Sequence, residues 1–359
     1  MKSRLASGIL IAAISVFSTL AVWLGVGTNK IYRNFDGIYY VVVAKTWYNK
    51  ALIEKNFSIP LPAEYYAAHF PGYPLLIDIF TLAGINHLQS MIAIDLAVSA
   101  ITAVVIFEIW REKKWGNPWW ATLVWLFWWP RMWGVRSVGS PETLFILATM
   151  GSLYAFEKKK YWLAGLLGAM AVITKSPGIL LLAAYGLWGI EEWIKTKKIP
   201  WKIYPVALIG LALVGVFYLF WVRMGNFWAY FNSGDNIHLL PFPFGIFNSK
   251  QPWVGTWWLD DVVWMYVVGA VGIWRAFKKD RVWGWFGIVF GSVLLFVAHR
   301  DVSRYALPIV PVVILGLAEL WEKKEVRVIL ALAIIPLFFY TVNFLNFNTV
   351  AIPTLAPFL

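Results

Sequence analysis

Apolar runs of membrane-spanning length, each closed by a short basic segment, constrain this chain more than any other feature. The first run, 7–26, holds 20 uncharged residues behind Lys2 and Arg4. A helix of about 20 apolar residues matches the hydrocarbon core of a bilayer. A secretory signal would have a shorter apolar core and a small-residue cleavage site, so the run reads as a retained span. Composition agrees: the chain is 60% hydrophobic and 14% charged, whereas a soluble domain is about half apolar and a quarter charged.

Further spans are expected at 88–110, 118–133, 141–156, 203–221, 257–274, 282–298, 305–320 and 328–344. Segments 161–174 and 178–190 are each short for a crossing and read as two tightly joined spans or one re-entrant hairpin. The expectation is an all-α polytopic membrane bundle of about eleven transmembrane helices, forming a single integral domain over 1–359. Two long loops interrupt it. The first, 27–89, holds an expected surface-lying helix at 36–50 anchored by Tyr39, Tyr40, Trp47 and Tyr48, with a second, surface-lying or partly inserted segment at 75–84. The other long loop covers 224–256.

Charge orients the bundle. The N-terminus and segments 111–117, 157–160, 191–202, 275–281 and 321–327 hold nineteen of the 31 lysines and arginines. Because basic loops stay in the cytoplasm, that side is expected to be cytoplasmic, in the cell membrane, with both long loops outside. The net charge of +12 is therefore a topology signal, and no nucleic-acid partner is expected.

The polar chemistry gathers on the outer side. The chain has no cysteine, which excludes disulfides and thiolate chemistry. No D-x-D, H-E-x-x-H, Walker or G-x-G-x-x-G pattern occurs, so neither metal nor nucleotide cofactor is expected. Asp36, at the outer end of the first span, has two readings. As a general base it would take a proton from an acceptor hydroxyl in transfer from a lipid-linked phosphate; otherwise it caps the following helix. A phosphate leaving group needs no protein acid but does need cations, for which Arg304, Lys175, His299 and Arg300 are the outer candidates. Arginine suits best, because its planar fork bonds two oxygens. Contact with lipid headgroups is the plain alternative for each. Glu142 opens a span and either caps it or acts. Asp95 and Asp78 read as structural polar pairs or functional acids.

Several stretches carry a resemblance. Phe35-Asp36-Gly37-Ile38-Tyr39-Tyr40-Val41-Val42-Val43-Ala44 is similar to a W-D-x-x-[WY]-Y-x-x-I-A segment, and His69-Phe70-Pro71-Gly72-Tyr73-Pro74-Leu75-Leu76 to F-F-P-x-Y-P-L-L. Ser140-Pro141-Glu142-Thr143-Leu144-Phe145, followed by Trp162-Leu163-Ala164-Gly165-Leu166-Leu167, is similar to S-E-x-L-F…W-L-A-G-L-L. Thr174-Lys175-Ser176-Pro177-Gly178 resembles T-R-P-x-G, and Ser303-Arg304-Tyr305-Ala306-Leu307-Pro308 contains R-Y-x-L-P. In this order they resemble the GT-C superfamily of polytopic glycosyltransferases, most closely mannosyltransferases of the PIG-V type and their prokaryotic relatives.

The resemblance implies inverting transfer of a hexose, often mannose, from a polyprenyl- or dolichyl-phosphate sugar donor. The acceptor would be a glycan, glycolipid or protein hydroxyl at the outer face of the lipid bilayer. It maps the base onto Asp36, the span-opening acid onto Glu142 and the outer arginine onto Arg304. Substrate contacts are expected from Glu142, Tyr305, His69, Tyr73, Glu64 and His238. Lys175 stands where the family commonly has arginine, Phe35 replaces tryptophan, and no second acid lies beside Asp36. The rival reading is a secondary transporter or lipid flippase, a class that often shows inverted repeats and midplane polar sites; no internal repeat is visible here.

Overall fold

The structure, a computed structural model, describes residues 2–235, 238–254 and 259–359. Among these the fold is helical, and the only extended pairings are two isolated bridges, Asn34 with Thr349 and Leu239 with Val297. A helix satisfies its own backbone, as a lipid environment demands. Among the described residues four helices are long and apolar enough to cross a membrane: Arg4–Val26, His87–Lys113, Trp201–Met224 and Lys324–Phe347. Tyr161–Thr174, Arg281–Leu294 and Val302–Gly316 are shorter apolar helices. The span expected at 257–274 begins on residues outside the described set; from Asp260 a helix runs to Lys279.

Expected spans differ from the structure where the backbone is interrupted. Segment 118–133 is not one helix: Pro118–Leu123 passes into a π-helical turn, Val124–Trp128, and a new helix starts at Pro130. Trp129 is extended (φ −83°, ψ 112°), as the residue before a proline prefers. The buried guanidinium of Arg136 closes this break by donating to Leu126 O at 3.1 Å and Thr19 Oγ1 at 2.9 Å. Segment 161–190 is two helices, Tyr161–Thr174 and Leu180–Thr196, joined by the turn Ser176–Ile179. At 1.5 Å per residue the first is about 21 Å long, short of the hydrocarbon thickness.

The segments grouped by charge meet at one end of the bundle. Arg4 pairs with Glu108 at 2.8 Å, Lys158 with Glu112 at 2.5 Å, Lys113 with Asp280 at 3.6 Å and Arg281 with Glu191 at 2.7 Å. Glu322 accepts from the Asn117 backbone N–H at 2.8 Å. Glu157, at that end, pairs with Lys113. Glu142 begins the same helix, Glu142–Glu157, about 22 Å away along its axis.

The expected surface helix of the first outer loop is corrected by burial. Gly37–Thr46 buries every residue but Lys45, and Tyr40 and Tyr48 lie in the core. The reason is its sequence: the Val41-Val42-Val43 run leaves no polar face, and a helix apolar all round belongs inside. It packs between Gly72–Thr81 and His87–Lys113. By contrast Gly72–Thr81 leaves Leu75 and Ile79 exposed, as a partly inserted segment should. Residues 348–359 return to this loop: Val350 N–H donates to Arg33 O and Arg33 Nη1 to Ile352 O, both at 2.8 Å.

Candidate active site

Asp36 immediately precedes the buried Gly37–Thr46 helix, yet its side chain makes no capping hydrogen bond. Its carboxylate instead accepts from Arg304 Nη1 at 3.0 Å, so the geometry does not favour the capping reading. The backbone there tolerates little change, since a Cβ on Gly37 would lie 2.9 Å from Gly139 O. Asp36 is thereby held against the turn that leads to Glu142.

Glu142 is 2% exposed, at the start of its helix. It accepts from the Ser140 hydroxyl and from Lys175 Nζ, the latter at 2.7 Å. Lys175 reaches it because the short Tyr161–Thr174 helix ends there and Lys175 itself is extended (φ −150°, ψ 138°). Arg304 Nε lies 3.6 Å from the same Glu142 oxygen and 3.5 Å from Asp301 Oδ2. Two of the four expected phosphate-holding cations, Lys175 and Arg304, thus converge on one buried carboxylate. The Arg304 guanidinium also packs over the Phe35 ring at 4.8 Å and the Tyr305 ring at 5.4 Å. These rings shield the pairs from water and so strengthen them.

Two cavities meet at Asp36. The first spans about 850 Å³ including its mouth open to solvent, and Asp36, Glu142, Lys175, Arg304, Tyr305 and His69 line it. Its opposite wall is apolar, built from Leu180, Phe290, Val293, Leu294 and Val297. The second, about 890 Å³, is lined by Asp36, Arg304, Tyr305, His299, Arg300, Asp301 and the chain around Asn348. Asp36, Arg304, Tyr305 and Asp235 are common to both.

His69 is buried among Tyr39, Tyr40, Tyr65 and Tyr66, and its Nδ1 has no hydrogen-bond partner. Burial pushes its imidazole below the usual histidine range, leaving a neutral ring facing the first cavity. His299 is likewise lowered by burial. Its Nδ1 accepts from the Asp301 N–H at 3.1 Å, and the ring stacks between Tyr305 at 5.1 Å and His238 at 5.2 Å. That places a neutral ring where a phosphate-holding cation was expected. His238 lies 3.6 Å from Asp235 Oδ1.

Three of the expected residues line neither cavity: His238 stands behind Asp235 and His299, and Tyr73 and Glu64 lie apart. Tyr73 is buried, with its hydroxyl donating to Asp95 Oδ2 at 2.5 Å. The Ser140 N–H donates to the same Asp95 oxygen at 3.2 Å, so this pair supports the turn before Glu142. Glu64 is half-exposed and pairs with Lys50 at 2.5 Å.

Asp235 is one of two lining acids that sequence reasoning missed. Burial alone would raise its carboxyl, but hydrogen bonds from His238 and Tyr65 hold it below the usual aspartate range. A signal existed, because Asp235 is the single acid of the 224–256 loop. Asp301 was also missed; it faces Arg131 at 3.4 Å as well as Arg304.

The arrangement can hold an anion beside Lys175 and Arg304 and accept a proton at Asp36 within one space. Among the described residues no group of three or more histidine, aspartate or glutamate side chains is placed to hold a metal ion. Compared with models of known families and with curated protein sequences, the chain matches none of either.

Proposed function

We propose that this protein is an inverting glycosyltransferase that moves a hexose from a polyprenyl-phosphate carrier to a hydroxyl acceptor at the outer face of the cell membrane. The observation that carries the reading is Asp36, a carboxylate held by a buried arginine where an apolar-walled cavity meets a polar one. The carrier lipid and its phosphate belong to the first cavity, whose apolar wall suits an isoprenoid and whose Lys175 and Arg304 suit a phosphate. The acceptor belongs to the second. In the reaction the acceptor oxygen forms a bond to the sugar's anomeric carbon as the bond from that carbon to the phosphate oxygen breaks. The phosphate leaves with the electron pair, and the acceptor proton passes to Asp36. Lys175 and Arg304 stabilise the charge that grows on the phosphate, an electrostatic effect strengthened where water is excluded.

The test is turnover of radiolabelled polyprenyl-phosphate hexose by protein reconstituted in lipid. Wild-type protein is expected to transfer or hydrolyse the label. Asp36→Asn keeps the side chain's shape and removes the proton acceptor; it is expected to lose turnover by about a hundredfold or more, with donor binding retained. Movement of intact labelled lipid across the bilayer without bond cleavage would instead identify a flippase. Near-normal turnover by folded Asp36→Asn protein would place the base elsewhere.

A further inference from the structure

We propose that the second cavity is a binding site for a neutral carbohydrate and that Asp235 orients it through the sugar's hydroxyls. Calling that sugar the acceptor rests on the transferase reading above; the binding itself does not. The cavity's polar lining is rich in acceptors. Asp36 and Asp235 each leave about a third of the side chain exposed, 30% in both cases, and Asp301 leaves 18%. Ionised carboxylates only accept hydrogen bonds, so the complementary ligand is one rich in donors.

Charge narrows the ligand further. Arg304 turns its Nη1 to Asp36 and its Nε toward Glu142 and Asp301, and the transferase reading gives its remaining capacity to the donor phosphate in the first cavity. An anionic ligand would therefore face three carboxylates with Arg300 as the remaining lining cation. An apolar ligand would leave those carboxylates desolvated and unpaired, which is costly. Most of the remaining lining is aromatic, with Asn348, Thr349 and Val350 completing it. Tyr39 and Tyr65 meet edge to face at 5.4 Å, and His299 stacks on Tyr305. Hydroxyls that donate to carboxylates, and C–H faces that pack on rings, are the two surfaces of a sugar.

A peptide fits less well. An extended peptide gains affinity by pairing its backbone with a free edge. The chain bordering the cavity offers none at Thr349–Val350, because Thr349 bridges Asn34 and the Val350 N–H is given to Arg33 O. Asp235 is poised by its own partners, the Tyr65 hydroxyl and His238. It therefore presents its carboxylate in a set direction, the condition for discriminating one hydroxyl from another.

The experiment is ligand-observed NMR on the full chain in lipid nanodiscs, without donor, using a panel of methyl hexopyranosides and their monodeoxy analogues. Saturable binding of a glycoside is expected, with Asp235→Ala weakening it about tenfold or more. Tyr65→Phe, which keeps the ring and frees the carboxylate, is expected to weaken it less. One monodeoxy analogue is expected to bind poorly to wild type and to lose nothing further in Asp235→Ala, a coupling that a purely structural role for Asp235 would not produce. Inorganic phosphate and a serine-containing peptide are expected not to compete. Absence of glycoside binding by folded protein, or displacement by either competitor, would overturn the proposal. Donor cleavage measured in parallel separates the readings. Cleavage without glycoside binding removes the sugar site and leaves the transferase, whereas binding without cleavage does the reverse.

Discussion

Arg304 has 7% of its side chain exposed and faces Asp36, Glu142 and Asp301. Removing it leaves three acids near one another without their shared cation, and a buried charge stripped of its partner is strongly penalised. Arg304→Ala is therefore expected to weaken binding of a polyprenyl-phosphate sugar about tenfold or more. Arg304→Lys, which keeps the charge, guards against a folding defect. Lys175→Ala is expected to weaken binding less. Because both cations face the same Glu142 oxygen, the double variant is expected to depart from additivity by at least about 0.5 kcal/mol. Equilibrium binding of a fluorescent donor analogue checks both expectations. Unchanged affinity in Arg304→Ala would make the residue a packing group. Each of these residues stands out in the sequence by type and by its place at an outer boundary; the shared carboxylate does not, since Glu142 reads equally well there as a helix-opening acid.

At the scale of elements, the break at Val124–Trp128 depends on one side chain from outside it. A π-helical turn leaves carbonyls without their usual partner, and Arg136 supplies a donor to Leu126 O. Its other nitrogens reach Thr19 Oγ1 at 2.9 Å and Ser18 Oγ at 2.8 Å on the first helix. The residue thus ties the broken segment to the Lys2–Val26 helix. Arg136→Ala would leave a cavity and a buried carbonyl unpaired, and is expected to destabilise the fold by at least about 2 kcal/mol. A clear fall in melting temperature in detergent, with Arg136→Lys recovering part of it, is the expected result. An unchanged melting temperature would mean that the turn holds itself. Pro130 marks this interruption in the sequence, but a proline inside an apolar run also occurs in continuous helices: Pro336 lies within Lys324–Phe347.

For the whole molecule, the separation between the basic end and the candidate site is open to direct measurement. Ser140 is a natural probe by sequence, but it is only 1% exposed and an impermeant reagent cannot reach it. Lys250 and Lys160 are exposed, and the chain has no cysteine to give background. In intact cells Lys250→Cys is expected to label with a membrane-impermeant maleimide, and Lys160→Cys only after lysis. Labelling of both from outside would refute the proposed orientation. The charge asymmetry behind it is legible in the sequence because it depends on residue type alone. Ion pairs such as Lys113 with Asp280 then show those segments meeting at one end.

What the sequence by itself determined is what local residue type can carry: helices rather than sheet, apolar stretches suited to lipid, the basic segments, and Asp36 with Arg304 as leading polar candidates. Apolar run length and side-chain charge act within a few residues, so they survive without knowledge of the fold. Tertiary structure decided the rest. It turned an expected surface helix into a core helix, because neighbours on every side cover Gly37–Thr46. It moved Tyr73 and Glu64 away from the cavities and brought in Asp235, whose loop has no periodicity to show which way its side chain faces. It joined Arg304 to Asp36 across 268 residues. Contacts at that separation come from the packing of whole helices, and no local pattern encodes which loop ends will meet.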